Sequence, residues 1–207
     1  MFWQKCENRE MADKTSNFEK HASKNPLQKL LIGNFYKALL ILAKDLKVKT
    51  ILDAGCGEGF TLQKFYEAKI GEHLEGIEYS ESAIEIGKKI HPSLKIKKGD
   101  IYKLPYKENF FDLIICSEVL EHLDDPKKAL DELKRVSKRY LLLSVPNEPL
   151  FTIQRFLRGK SILKLGAHPE HIQSWSSGEF ENLVKGEGLK IINKKTPFPW
   201  TVILAEK

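Results

Sequence analysis

The chain has little cysteine and no long apolar run. Its three cysteines, Cys6, Cys56 and Cys116, are an odd number without CxxC spacing, so neither a disulfide framework nor a zinc cluster is expected. The most apolar stretch, Ala38 to Ala43, is bounded by lysines and falls well short of the roughly 18 to 20 residues that span a bilayer. Charged residues also interrupt the first ten positions, where a secretory signal is apolar. A cytoplasmic location is therefore expected.

Positive charge is in moderate excess. The 207 residues include 34 Lys and Arg against 28 Asp and Glu, which gives a net charge of +6. Hydrophobic residues make up 42% of the chain, an ordinary share for a globular protein, and the length fits one domain with a lid. The charge is compatible with a nucleic-acid partner, an anionic membrane surface or solubility alone.

The N-terminal segment differs from the rest of the chain. Residues 1–25 are polar without a sustained period and are interpreted as an arm or lid. From Leu27, apolar residues recur at three- and four-residue steps, which predicts a helix whose other face carries Lys29, Lys37 and Lys44. That lysine face is either solvated or in contact with an anionic surface. The predicted organisation is an arm and lid helix at 1–47 and a main domain at 48–207.

From residue 50 onward, short apolar runs alternate with amphipathic stretches. The predicted strands are 50–52, 73–79, 94–98, 111–116, 140–145, 189–194 and 200–205, with helices at 60–69, 82–90, 126–138 and 179–187. This alternation predicts an α/β fold with a mostly parallel sheet covered on both faces. Segment 147–175 breaks the alternation and is longer than a connection needs, which is typical of a substrate-side insertion.

A glycine-rich loop follows the first strand. It reads Asp53-Ala54-Gly55-Cys56-Gly57-Glu58-Gly59 and opens a helix, so its backbone can approach a ligand closely. A dinucleotide-binding dehydrogenase is the alternative, but the spacing is GxGxG rather than GxGxxG. The carboxylates of this loop would repel a pyrophosphate and attract a ligand with a cationic end.

Further acidic residues follow the next two strands. Glu78 is placed to accept hydrogen bonds from ribose hydroxyls. Asp100, after Gly99, offers an acceptor suited to an exocyclic amine. Together with Phe111-Asp112-Leu113-Ile114-Ile115, these motifs resemble class I S-adenosylmethionine-dependent methyltransferases over about residues 48–205.

The resemblance implies a Rossmann-like fold and assigns roles to individual residues. The sheet would have seven strands, with the last one inserted antiparallel. Asp53, Gly55, Gly57 and Gly59 would contact the methionine part of S-adenosylmethionine, and Glu78 would hold its ribose diol. Tyr79 and Ile101 would flank the adenine, and Asp100 would meet its amino group. The backbone near Ser117 would close the methionine end.

The methyl acceptor is less constrained. After the fourth strand the chain reads Cys116-Ser117-Glu118-Val119-Leu120-Glu121-His122, without the proline pair typical of enzymes that methylate nucleic-acid bases on nitrogen. On a helix, Glu118, Glu121 and His122 would share one face. Two carboxylates and an imidazole suit Mg²⁺ or Mn²⁺.

The run E-x-x-E-H and a later His before Trp175 resemble two groups of enzymes. One is the quinone-pathway O-methyltransferases, and the other is the metal-dependent methyltransferases of small-RNA 3′ ends. The second resemblance implies metal ligation by Glu118, Glu121, His122 and His171. The same run also occurs in relatives without a metal, in which case His122 or His171 is the candidate general base, because imidazole accepts protons near neutral pH.

The sequence thus predicts a methyltransferase that O-methylates a small or lipid-linked metabolite. The alternatives are a metal-dependent RNA 2′-O-methyltransferase and a catalytically silent cofactor-binding domain. RNA is the second choice of partner, because the sequence shows no dense basic cluster or appended RNA-binding module. Peripheral membrane contact is compatible with the basic segments, which include Arg155, Arg158 and Lys160.

Overall fold

The computed structural model describes residues 15–148, 150 and 172–207. The strands are β1 (Thr50–Ala54), β2 (His73–Glu78), β3 (Lys95–Lys98), β4 (Phe111–Ser117), β5 (Ser137–Pro146), β6 (Lys190–Lys195) and β7 (Trp200–Glu206). The helices are α1 (Ser16–Ala22), α2 (Pro26–Ala43), α3 (Phe60–Glu67), α4 (Glu81–Ile90), α5 (Pro126–Val136) and α6 (Ser177–Gly186). The described strands form one seven-stranded sheet.

The sheet has the topology that the resemblance implied. Its strand order is β3-β2-β1-β4-β5-β7-β6, and the neighbours from β3 to β5 run parallel. β7 lies antiparallel to both β5 and β6. The prediction of a seven-stranded Rossmann-like sheet with the last strand antiparallel is confirmed. The strand order reverses beside β1, so the carboxyl ends of β1 and β4 form a crevice where such folds bind ligands.

Apolar cores cover both faces of the sheet. Side chains of successive strand residues point to opposite faces, so Ile51 and Leu52 of β1 enter different cores. On one face the strands pack against α5 and α6, and on the other against α2 and α3. Phe35 of α2 is buried and packs against Trp200 with a ring-centroid distance of 4.9 Å.

The long N-terminal helix begins where the sequence predicted. The Asn25 side chain caps α2 by accepting from the backbone N–H of Leu27 at 2.9 Å, and Pro26 occupies the first turn. A shorter helix, α1, precedes it within the segment that is interpreted as an arm or lid, at a place where no helix was predicted from the sequence.

Two further features bear on function. Within the described ranges, no helix combines the length and apolarity that a bilayer crossing requires. Cys56 and Cys116 are buried, and burial raises the pKa of both thiols, as expected for cysteines packed against the sheet. Most of the predicted insertion 147–175, including Arg155, Arg158 and Lys160, lies outside the described residues. The predicted boundaries of the arm and the main domain stay a prediction.

Candidate cofactor and acceptor site

The glycine loop lies at the carboxyl end of β1. Gly55, Gly57 and Gly59 all have left-handed backbone conformations, with φ of 77°, 54° and 85°. The Gly55 N–H donates to the carbonyl of Ile77 at 2.8 Å, which fastens the loop to β2. A Cβ at Gly55 would stand 2.5 Å from Val119 Cγ2. The loop therefore needs glycine both for its conformation and for its close packing.

Asp53 is the last-but-one residue of β1 and lies beneath the loop. Only 1% of its surface is exposed, and neither carboxylate oxygen has a hydrogen-bond partner among the described residues. Burial, followed by the nearby charge of Glu78, raises the pKa of Asp53 to about 7. An unpaired buried carboxylate is costly, so this position favours a ligand that brings a cationic or hydrogen-bond-donating group.

Glu78 is held at the end of β2 by backbone amides. One carboxylate oxygen accepts from Gly57 N at 2.9 Å, and the other accepts from Tyr79 N and Ser80 N at 2.8 Å each. These bonds orient the carboxylate toward the glycine loop. A carboxylate has about four acceptor positions, so Glu78 retains capacity for ribose hydroxyls.

The remaining residues assigned to the cofactor surround the same crevice. Tyr79 is 75% exposed at the end of β2, and Asp100 follows β3 and accepts from Tyr102 N at 2.8 Å. Ile101 is partly buried against the core, and the Ser117 hydroxyl lies 3.0 Å from that of Ser144. The fold thus places all of these residues at or after the carboxyl ends of β1 to β4. Their contacts with a cofactor stay predictions.

The helix that sequence patterns missed covers this end of the sheet. The side chains of Thr15 and Asn17 donate to the carboxylate of Glu58 in the glycine loop. His21 stacks on Phe60 at 4.0 Å between ring centroids. Glu58 was expected to act through its charge on a ligand, but here its carboxylate anchors α1. The Thr15 cap, which accepts from Phe18 N, was the local signal for this helix.

The side chains beneath α1 are half-buried. Burial, followed by the charge of Lys20, lowers the pKa of His21 to about 3, so its imidazole is neutral at physiological pH. One ring nitrogen of His21 lies 3.2 Å from the hydroxyl of Tyr36. The α1 helix therefore reduces the access of water to one side of the crevice through neutral, stacked groups.

Beyond β4, the half-buried Glu118 lies close enough to the buried Glu121 for their charges to interact. Glu118, Glu121 and His122 do not lie on one α-helix. A single 3₁₀ turn spans Leu120–His122, and Glu118 precedes it with φ of 60°, because the chain turns sharply after the strand. Trp200 Nε1 donates to Glu118, and Lys20 lies 3.8 Å from the same carboxylate.

Among the described residues, the carboxylate of Glu121 has fewer hydrogen-bond partners than that of Glu118. Glu121 is 1% exposed, and neither of its carboxylate oxygens has a hydrogen-bond partner in the described part of the chain. Burial raises the pKa of both glutamates, and the charge of Glu118 adds to the effect on Glu121, while Lys20 opposes it. This end of β4 is therefore a second place where a donor or cation would be favoured.

Three of the four predicted metal ligands, Glu118, Glu121 and His122, lie among the described residues. His122 is exposed whereas Glu121 is buried, so their side chains point in different directions. No group of three or more His, Cys, Asp or Glu side chains in residues 15–148, 150 and 172–207 is arranged to hold a metal. His171 lies outside the described residues, although the next residue, Ile172, donates its N–H to the Glu121 carbonyl at 2.9 Å. The metal and general-base assignments stay predictions.

Comparison with known proteins gives a consistent result. A family described as a methyltransferase domain matches residues 27–194. A demethylmenaquinone methyltransferase of Paenarthrobacter aurescens is 30% identical over 104 residues, which is 50% of this chain and 40% of the relative. The matches cover 36% to 52% of the length of the curated relatives.

Solved structures share the fold at low sequence identity. Magnesium protoporphyrin IX methyltransferase of Synechocystis, with bound SAH, has a TM-score of 0.68 at 18% identity, covering 93% of this chain and 95% of that one. The methyltransferase domain of bacterial CtHen1 has a TM-score of 0.66 at 19% identity, covering 86% of this chain and 100% of that one.

Proposed function

The chain belongs to the S-adenosylmethionine-dependent methyltransferase family, and on that premise we propose that it transfers a methyl group to an oxygen of a small or lipid-linked acceptor. The observation that carries the proposal is the crevice beneath α1, with unpaired Asp53, oriented Glu78 and left-handed glycines. Relatives named demethylmenaquinone methyltransferases support a small-molecule acceptor.

The residues of the crevice fit S-adenosylmethionine. Asp53 and the glycine loop would hold its methionine part, Glu78 its ribose, and Asp100 the amino group of its adenine. When bound, S-adenosylmethionine supplies a methyl group on a positively charged sulfur. The carboxylates that surround the crevice stabilise positive charge there, and the half-buried aromatic contacts of α1 reduce the access of water.

On the acceptor side, the task of the chain is to orient an oxygen and take its proton. In-line transfer depends chiefly on placing the reacting atoms about 3 Å apart and collinear, so positioning contributes much of the rate. His122 and His171 are the proposed proton acceptors. This scheme assigns no role to a metal.

Isothermal calorimetry with S-adenosylhomocysteine tests the cofactor site. We expect micromolar binding by the unmodified protein and a loss of about 10-fold or more in Glu78→Gln, since the amide replaces a charged acceptor. The matched control is Glu75→Gln in the same strand. Glu75 accepts hydrogen bonds from Lys97 and the Tyr106 hydroxyl and not from the glycine loop. The affinity of the Glu75→Gln variant for S-adenosylhomocysteine should therefore be unchanged.

Either of two results would remove this support. One is the absence of binding by the unmodified protein. The other is equal affinity in the Glu78→Gln variant, which would show that the oriented carboxylate does not contact the ligand.

Metal-dependent RNA 2′-O-methylation is the second candidate. It is favoured by the unpaired oxygens of Glu118 and Glu121, which lie close enough for one charge to affect the other. The fold shared with the methyltransferase domain of bacterial CtHen1 is compatible with it.

A labelling experiment separates the two candidates. Methyl-labelled S-adenosylmethionine is offered with a prenylated catechol and, separately, with a single-stranded RNA, each in EDTA or in Mn²⁺. We expect label in the catechol under both conditions, because the proposed transfer uses no metal. Label that enters the RNA 3′ end in Mn²⁺ and not in EDTA would contradict O-methylation of a metabolite and support the RNA candidate.

A further inference from the structure

One face of α2 exposes aliphatic and cationic side chains together. The residues of this face are separated by three, seven, four and three positions, spacings that keep side chains on one side of a helix. They are Leu27, Leu30, Lys37, Ile41 and Lys44, which we call the stripe. The three aliphatic residues are 55%, 59% and 38% exposed. The opposite side of α2 enters the core, so the stripe is the outer face of a packed helix.

The C-terminal half of this stripe borders a cavity of about 810 Å³ between α2 and α3. Its floor is largely aliphatic and includes Leu40, Leu46 and Ile70. Its wall contains six lysines against one carboxylate, that of Glu72. The lysines are Lys37, Lys44, Lys47, Lys49, Lys64 and Lys69. We name the stripe and this cavity together the basic face.

Half of these lysines lack a neutralising partner. Lys49 pairs with Glu72 at 3.7 Å, and Lys44 and Lys64 have acidic neighbours in sequence. For Lys37, Lys47 and Lys69, no carboxylate of the described residues lies within ion-pair distance. The basic face therefore carries unneutralised positive charge beside exposed aliphatic groups.

The cavity lies away from the cofactor crevice. Its residues Lys49 and Glu72 immediately precede β1 and β2, and the Lys49 carbonyl accepts from Glu72 N at 2.7 Å. The cavity is thus at the amino ends of these parallel strands, whereas the glycine loop follows the carboxyl end of β1. A ligand in the cavity would leave the crevice accessible.

We propose that the basic face docks on the surface of an anionic phospholipid bilayer. Exposed aliphatic side chains beside lysines match such a surface, because the former enter the acyl boundary while the latter contact lipid phosphates. The exposed residues of the stripe include no aromatic group, whereas single-stranded RNA is held by aromatic stacking as well as by charge. This docking does not depend on the proposed reaction.

Vesicle flotation of the full chain tests this assignment. The probes are phosphatidylcholine vesicles with and without phosphatidylglycerol. We expect binding to the anionic vesicles that weakens as salt is raised. The triple variant Lys37→Gln, Lys44→Gln and Lys47→Gln should bind about 100-fold more weakly, since each lysine near such a surface contributes about fivefold.

Two control variants make the result specific. Lys88→Gln, Lys89→Gln and Lys190→Gln remove the same charge from exposed positions elsewhere and should leave binding unchanged. Leu27→Ser with Leu30→Ser should weaken binding at constant charge, whereas Ile192→Ser, an exposed aliphatic position on β6, should not.

Several outcomes would overturn the proposal. One is the absence of binding to anionic vesicles at low salt. Another is an equal loss of vesicle affinity in the two triple lysine variants, and a third is unchanged affinity in the variant of Lys37, Lys44 and Lys47. If the variant of Lys37, Lys44 and Lys47 lost affinity for a single-stranded RNA but bound vesicles as before, the basic face would instead be assigned to RNA. Because vesicle binding needs neither S-adenosylmethionine nor turnover, its failure is distinguishable from failure of the proposed methyl transfer.

Discussion

Replacing Asp53 by asparagine is expected to weaken S-adenosylhomocysteine binding by about 100-fold or more while stabilising the unliganded protein above pH 7. The two effects have one cause. Asp53 is buried without partners among the described residues, so its charge is unfavourable until a ligand supplies a donor or cation. Asparagine keeps the shape of the side chain. It removes both the cost of the buried charge and the interaction of that charge with the ligand.

The pH dependence follows from the direction of the shift. The pKa of Asp53 is raised from 3.8 to about 7 on folding, so the folded state binds more protons between these values. The contribution of Asp53 to the free energy of unfolding is therefore highest below about pH 4. It decreases as the pH rises toward 7 and is constant at higher pH. The asparagine of the variant does not titrate. Relative to the unmodified protein, the variant should gain about 2 to 3 kcal/mol between pH 5 and pH 8.

Denaturant unfolding of both proteins across this pH range measures the difference in their free energies of unfolding. Because the other carboxylates contribute equally to both proteins, their effects cancel in this difference. Calorimetry on the same samples measures affinity. A pH-independent difference would show that the folded Asp53 titrates normally. Unchanged affinity would show that its charge does not act on the ligand.

The second large effect concerns a glycine where a helix meets the cofactor loop. Gly87→Ala in α4 should destabilise the protein by about 2 kcal/mol, although alanine is the better helix former by about 1 kcal/mol. Its Cβ would stand 2.8 Å from the backbone carbonyl oxygen of Glu58 and equally close to Ile96 Cδ1. A backbone oxygen cannot rotate away, so α4 or the glycine loop must shift.

Gly33→Ala is the matched control in another helix. No atom of the described residues lies within 4 Å of a Cβ at Gly33 in α2, so the usual gain of about 0.5 to 1 kcal/mol should appear. Thermal and denaturant unfolding compare the two variants, and calorimetry shows whether Gly87→Ala also lowers cofactor affinity. Equal stabilisation by both substitutions would contradict the close contact between α4 and the loop.

The sheet was predictable from sequence because its strands are apolar runs bounded by turn residues. The predicted strand 111–116 differs by one residue from β4, Phe111–Ser117. The junction of α5 and β5 was harder. The charged residues Lys138 and Arg139 continue a helical pattern, but Ser137 is already extended and pairs with Phe111 across the sheet.

Sequence reasoning proposed the cofactor residues from local motifs, but it did not predict the helix α1 that packs against the glycine loop. The glycine loop and Glu78 are recognisable because close backbone approach and an oriented carboxylate restrict residue types locally. The α1 helix depends on Glu58, more than forty residues away, so no local period reveals it. Likewise, Glu121 looks like a surface residue in sequence, and its burial follows from packing between distant segments.

The position of β7 has a consequence for how the chain folds as it is synthesised. Residues 200–206 form the strand between β5 and β6, so β6 reaches the sheet through a segment made after it. Until residue 206 leaves the ribosome, the exposed edge of β5 presents unpaired backbone groups to other chains. Completion of this side of the sheet thus waits for residues 200–206, which join two strands that are synthesised before them.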